Sequence, residues 1–288
     1  YMDNGVDSYN GLLMSVQKRV SHNFSMTANY TWSHCIDNGE ATTSVNVPAF
    51  RNDLKDEYGN CIFDRNQQFV ANGIYESPRF QSRLVNAILG NWEVSPIVSY
   101  LSGDWLSVTT NADSAFIGIV GTVNDVGQRP DSVAGQAVYV SHTILPATVS
   151  NGIVTSGHLG VQWINPHAFV APTVTPGFTG NVINNGIGPI TVGPLGNVGR
   201  NTILGPSIHS FDLALTKKFR INERNEIDAR FEAFNVFNLV NYGDPSLTLN
   251  STTFGQVTSG AAAGGASFPG FSLPTDPRIM QFALKWIF

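Results

Sequence analysis

The chain has 288 residues, of which 42% are hydrophobic and only 13% charged, with 28 glycines and a formal net charge of −5. The charged fraction is roughly half that of a soluble globular domain, yet no stretch reaches the ~18 consecutive apolar residues of a membrane-crossing helix. A membrane protein of this kind is left with the closed β-barrel, and an acidic balance without a basic patch excludes nucleic acid as a partner.

The first residues, Tyr1-Met2-Asp3-Asn4, have neither the charged region nor the apolar run of an export signal. On a membrane reading the chain is therefore expected to be a mature or truncated polypeptide. Alternation at period two then recurs along the sequence, the signature of half-buried strands. Residues 9–20 set Leu12, Met14, Val16 and Val20 on one face. Residues 24–33 set Phe24, Met26, Ala28, Tyr30 and Trp32 against Ser25, Thr27, Asn29, Thr31 and Ser33. Residues 67–76 offer Phe69, Ala71, Gly73 and Tyr75, and residues 92–101 offer Trp92, Val94, Pro96, Val98 and Tyr100. Residues 209–219 carry Phe211, Leu213, Leu215 and Phe219. In residues 226–233, Ile227, Ala229, Phe231 and Ala233 oppose Glu226, Asp228, Arg230 and Glu232. The last segment sets Met280, Phe282, Leu284, Trp286 and Phe288 against Gln281, Ala283 and Lys285. Lys18 and Lys217 fall on apolar faces, each close enough to a strand end to snorkel.

Connection lengths separate a membrane barrel from a soluble sheet, which alternates equally well. By these boundaries the first and second strands are joined by about three residues, the fifth and sixth by about five, and the third and fourth by about fifteen. The remaining connections are far longer, at roughly 33, 105 and 40 residues. Short and long alternate, as periplasmic turns and outer loops do in outer-membrane barrels. With the C-terminus in the periplasm every short turn falls on that side. Phe24, Tyr75, Trp92, Phe219, Trp286 and Phe288 then form one aromatic girdle, and Tyr9, Trp32, Phe69, Tyr100 and Phe211 the other. The alternative is a soluble β-sandwich whose aromatics are core.

Searches for reaction chemistry end without a site. The six histidines (22, 34, 142, 158, 167 and 209) have no metal-ligand spacing. The run from Gly186 to Gly199 matches no nucleotide-binding fingerprint and reads as outer loop, and no nucleophile elbow occurs. The expectation is no enzyme, no cofactor and no metal. Glu226, Asp228, Arg230 and Glu232 share one face and read as lining a wet lumen, with gating or substrate passage as the sharper option. Cys35 and Cys61, the two cysteines, both fall in the first long loop. Bonded, they would close a loop of about 25 residues, stabilising it by ~3 kcal/mol; otherwise they are two unrelated thiols. Asp37, Glu40, Asp53, Asp56, Glu57 and Asp64 in the same loop either attract cations or belong to a solvated loop.

Several motifs, taken in order, carry a family resemblance. Tyr30-Thr31-Trp32-Ser33 with Asp37, Phe63-Asp64-Arg65, and Gly90-Asn91-Trp92 with Ser102-Gly103 come first. Gly199-Arg200-Asn201, Gly205-Pro206, Asp212-Leu213-Ala214-Leu215 and Lys218-Phe219 follow. Arg230-Phe231-Glu232-Ala233-Phe234-Asn235-Val236-Phe237-Asn238 and Asn241-Tyr242-Gly243-Asp244-Pro245 complete the set. The chain resembles the barrel of Oar-like TonB-dependent transporters. The resemblance implies an all-β, antiparallel transmembrane barrel portion, about seven strands of a 22-strand wall with a plugged lumen. On it, residues 1–288 are a C-terminal barrel portion with outer loops at 34–66, 102–207 and 238–277. About fifteen strands (22 − 7), the plug domain and the N-terminal energy-coupling box are missing.

The implied partners are outer-membrane lipid, the barrel assembly machinery, and an energy-coupling TonB complex reached through the missing N-terminal part. Met280, Phe282, Leu284, Trp286 and Phe288 resemble the signal that the assembly machinery reads, an apolar edge suited to strand addition, or else form an ordinary final core strand. The implied activity is passage of a large or scarce substrate across the outer membrane. Oar-like relatives are linked with export as well as import, so the direction stays open. A passive porin or adhesin-like barrel shares the strand pattern, and a soluble β-sandwich binding module is the third reading.

Overall fold

The computed structural model describes residues 5–38, 57–110, 128–144, 148–150, 153–156, 161–172, 181–184, 189–192, 196–222, 225–257 and 277–288. Its main element is an antiparallel wall of β1 (Asp7–Ser21), β2 (Phe24–Asp37), β3 (Gln67–Glu76), β4 (Trp92–Leu101), β5 (Ile208–Arg220), β6 (Glu226–Phe234) and β7 (Ile279–Ile287). These strands pair strictly in chain order, and a two-residue strand, Gly59–Asn60, adds an eighth member beside β2. Among the described residues, β1 and β7 are the two edges of the sheet.

The register brings the apolar sides of all these strands onto one face. A single row runs Phe24–Tyr75–Val94–Leu215–Phe231–Phe282, each residue directly opposite the next. A second runs Ala28–Ala71–Val98–Phe211 and a third Tyr30–Phe69–Tyr100–His209. The opposite face holds rows such as Asn29–Val70–Ser99–Ser210 and Thr27–Asn72–Ile97–Asp212. A slip of one residue in any pair would exchange the two faces of that strand, so amphipathic patterning fixes the register.

Turns reinforce it. His22 and Asn23, both at positive φ (51° and 60°), make the two-residue connection of β1 to β2, in keeping with the positive φ that a type I′ hairpin turn demands. Strand ends step along the register from pair to pair. β2 and β3 finish at Phe24 and Tyr75, β4 starts beyond them at Trp92 opposite Lys217, and β5 continues to the Phe219–Ile227–Trp286 row. Such stagger is what strand tilt in a barrel wall produces.

What covers the two faces differs from a soluble sandwich. On the apolar face Leu12, Met14 and Val16 are at least half exposed, and Phe282 and Leu284 are 82% and 79% exposed. The buried apolar cluster lies off the wall, at its long-loop end, where Val108, Ile164, Ala168, Phe169, Val198, Ile203 and Phe254 come together. Those residues belong to connections that carry short paired strands of their own, such as Trp105–Leu106 with Ile203–Leu204 and Val161–Ile164 between Tyr139–Ile144 and Gln256–Val257. Among the described residues the core is thus a cap, and they leave the wall's apolar face without protein over most of its area.

Three features depart from the sequence reading. β2 continues past Ser33 to Asp37, paired with a correspondingly long β1. Tyr9 stands opposite Cys35 and so on the face opposite Leu12 and Met14, not in an aromatic girdle; its ring lies over Gly11, whose Cβ would meet Tyr9 Cε1 at 3.1 Å. The connection from β3 to β4 contains a helix, α1 (Arg83–Leu89), where only a turn was expected. Lys217, on the apolar face, is buried, with its Nζ at the Gly90 carbonyl and over the Trp92 ring at 5.1 Å.

If lipid covers the apolar face, Ala71→Arg in mid-wall destabilises the protein by about 2–4 kcal/mol, whereas Asn72→Arg on the polar face changes it by less than ~1 kcal/mol. Urea unfolding from lipid vesicles measures both, and equal effects would contradict the assignment of faces.

Candidate functional site

At the long-loop end, polar side chains tie the cap to the wall. Cys35 near the end of β2 is bonded to Cys61, with Cα atoms 5.4 Å apart. Beyond that link, Arg200 is buried and reaches back into the loop. Its Nη2 pairs with the Asp37 carboxylate and donates to the Asp37 carbonyl (2.9 Å), and its Nε donates to the Glu57 carbonyl (2.8 Å). Burial lowers the Arg200 pKa to about 10, which leaves it charged at neutral pH. Glu57 in turn accepts from Arg129 Nη1 at 3.1 Å, and Arg129 Nε donates to the Val198 carbonyl. Gly59 allows the chains to meet, because a Cβ there would lie 2.3 Å from the Arg200 carbonyl oxygen.

Asparagines serve as backbone substitutes around this rim. Asn201, at φ 50°, exchanges side-chain and backbone hydrogen bonds with Asn60 and accepts from Ser107 Oγ at 2.7 Å. Asn241 accepts from the His209 N–H (2.8 Å) and donates to the His209 carbonyl (2.9 Å), continuing the ladder beside β5. Asn235 ends β6 at φ 49°; its N–H donates to Asp212, and its amide holds both backbone groups of Leu239.

Arg65 connects the rim to the start of the longest connection. It donates to the Ser102 carbonyl and pairs with Asp104, both at 2.6 Å. Burial raises the Asp104 carboxyl to a pKa of about 6, with Arg65 opposing the shift and Asp244 adding to it. Burial raises Asp244 as well, again against Arg65. Gly103 packs against the neighbouring Gly205 backbone, where a Cβ would overlap the Gly205 carbonyl oxygen.

The second element is the polar face of the wall. Glu226, Asp228, Arg230 and Glu232 all project from that face of β6, opposite the face of Ile227 and Phe231. Arg220 donates to Glu226 at 3.0 Å, Arg230 pairs with Glu232, and Gln281 donates to Glu232. Asp228 lies between Lys218 and Lys285 in the register, and Lys218 pairs with Glu93 at 3.2 Å. Further along this face the register sets Ser, Thr and Asn beside Val70, Ile97 and Asp212.

Met280, Phe282, Leu284 and Trp286 occupy the apolar face of β7, and Phe288 follows the strand directly. Of the acidic loop residues, Asp37 pairs with Arg200, Glu57 with Arg129, and Asp64 with His34 at 3.3 Å; Glu40, Asp53 and Asp56 lie outside the described residues. Among the described residues no group of three or more His, Cys, Asp or Glu is placed to hold a metal ion. The sequence reading assigned no role to Arg200, Arg65, Asn201, Asn235 or Asn241, although they stand in the motifs that carried the resemblance. Order of motifs was their signal. Arg129 and Asp104 belong to aperiodic loops and had none, and Glu57 stood out only as one of the acidic residues of the first loop.

Arg200→Ala leaves the Asp37 carboxylate buried without its cation, a loss worth about 3–5 kcal/mol in comparable sites. The expected outcome is accelerated hydrogen exchange and proteolysis at residues 57–65 and 196–204, with the wall strands unchanged. Unaltered protection of those segments would show that the ion pair does not hold the rim.

Two faces of opposite polarity, an exposed apolar wall and alternating connection lengths define the molecule before any relative is consulted. The family model described as Outer membrane beta barrel domain matches residues 1–281. No curated protein and no solved structure matches the chain. The chain belongs to the outer-membrane β-barrel domain family, and its place is the outer membrane.

Proposed function

We propose that the chain is the C-terminal part of the barrel of a TonB-dependent, Oar-like transporter that moves a large or scarce substrate across the outer membrane. The observation that carries this reading is the rim: the residues of the Oar-like motifs, from Asp37 and Arg65 to Arg200, Asn201, Asn235 and Asn241, each make hydrogen bonds there that tie loop to strand or loop to loop. A set of motifs that shares one rim as well as one order is a stronger likeness than any of its members. The short turns then face the periplasm, the cap faces outward, and the polar face lines the lumen, where Glu226, Asp228, Arg230 and Glu232 meet water. Substrate selection belongs to the cap and an N-terminal plug, and the wall performs no covalent chemistry.

A larger wall is supported by the strand directions. β1 and β7 are separated by six antiparallel pairings, an even number, so both run toward the short-turn end. Joining them directly would make a parallel seam, unlike the even-numbered antiparallel closure of bacterial single-chain barrels. Their unpaired edges cannot remain open in hydrocarbon, and further strands are the simplest partners. The terminal strand, with Phe282, Trp286 and Phe288 exposed, is suited to capture by the assembly machinery through strand addition.

Conductance separates this reading from a passive porin. The complete polypeptide in a planar bilayer is expected to be silent until urea loosens its plug, and then to show large steps. Stable open-channel steps without urea would overturn the transporter reading in favour of a porin.

A further inference from the structure

The connection from β3 to β4 is far longer than the two-residue turn of the neighbouring hairpin, and it folds into α1. At about 100° per residue, Leu84, Val85, Ile88 and Leu89 fill one arc of that helix, and Arg83 and Asn86 the opposite one. None of the helix is buried. Leu84 is 76% exposed and Ile88 65%, so among the described residues the arc has no protein core to enter. Arg79 and Arg83 are exposed beside it.

The segment is nonetheless fixed in place. Ser77 and Trp92 exchange backbone and side-chain hydrogen bonds at 2.8 Å. Phe80 N–H donates to Asn86 Oδ1, Trp92 Nε1 donates to the Ile88 carbonyl at 2.7 Å, and Lys217 Nζ meets the Gly90 carbonyl. These contacts hold α1 on the apolar side of the wall. Ala87 and Ile88 form one bank of a groove of about 580 Å³ whose other bank is Leu215, Phe219, Phe282 and Leu284.

We propose that α1 is a membrane-interface anchor: its aliphatic arc enters the lipid leaflet at the short-turn end of the wall, and a phospholipid acyl chain fills the groove. Three observations combine. The groove is continuous with the lipid-facing wall of an outer-membrane barrel. Its lining is mostly aliphatic and aromatic, with Lys217 and Arg230 the two charged members, and Arg79 and Arg83 supply cations for lipid phosphates at headgroup depth. A helix with one apolar arc and a cationic opposite side is the form that lies in a membrane interface. Assignment of the leaflet to the periplasmic side rests on the orientation proposed above; insertion itself does not.

The test is site-directed nitroxide labelling of the complete polypeptide in phospholipid vesicles, at Leu84→Cys, Ile88→Cys and Arg83→Cys, with Phe282→Cys as the wall reference. Collision with oxygen is compared with collision with a water-soluble nickel chelate. At positions 84 and 88 oxygen is expected to dominate several-fold, as at 282, and at 83 the chelate. Chelate dominance at 84 and 88 with 282 still in lipid would overturn the anchor and leave the barrel intact. Chelate dominance at 282 as well would overturn both. Heat-modifiable migration of each variant shows that the barrel has folded.

Discussion

In a bilayer a backbone N–H or C=O has no water to turn to, and each one left unpaired costs several kcal/mol. Only a sheet whose every strand is paired, and whose outward side chains are apolar, can stand there. That requirement accounts for the low charge of this chain, for the strict chain-order pairing of β1 to β7, and for the row from Phe24 to Phe282 that crosses six strands without a polar interruption. It also accounts for where the core is. The wall needs no protein on its apolar face, so the buried apolar side chains gather in the connections at one end.

The same physics acts in reverse at the rim. There the chain leaves the ladder, and buried backbone groups must find partners among side chains. Asn201, Asn235 and Asn241 supply them, and the positive φ of the first two is tolerated by asparagine because its short amide bonds locally. Arg200 and Arg129 are buried with their carboxylates, and Gly59 and Gly103 let backbones touch. The rim is therefore a junction of polar anchors rather than an oil-filled core. Such a junction ties the long loops to the wall.

Much of the wall was legible in the sequence because period-two alternation is a direct record of two environments. Glu226 to Ala233 and Phe24 to Ser33 state their faces residue by residue, and the register in the structure follows them. Tyr9 shows the limit: an aromatic near a strand end was counted into a girdle by depth alone, while its position, one residue out of step with Leu12 and Met14, puts it on the other face above Gly11. α1 escaped because a seven-residue helix is shorter than any window in which helical periodicity stands out. The cap core escaped for another reason, since Val108, Val198 and Phe254 lie outside any strand and Ile164 ends a strand of only four residues. The rim anchors were visible as motifs but not as contacts, because Arg200 meets Asp37 across a sequence distance of 163 residues.

The central claim is that alternate residues of each wall strand meet lipid and water. An environment-sensitive NBD fluorophore placed singly on cysteine at each position from 226 to 233, in vesicles, tests it most directly. The account predicts strong emission at 227, 229 and 231, weak emission at 226, 228, 230 and 232, and loss of the contrast on unfolding in urea. Uniform emission along the strand, or the opposite alternation, would contradict it.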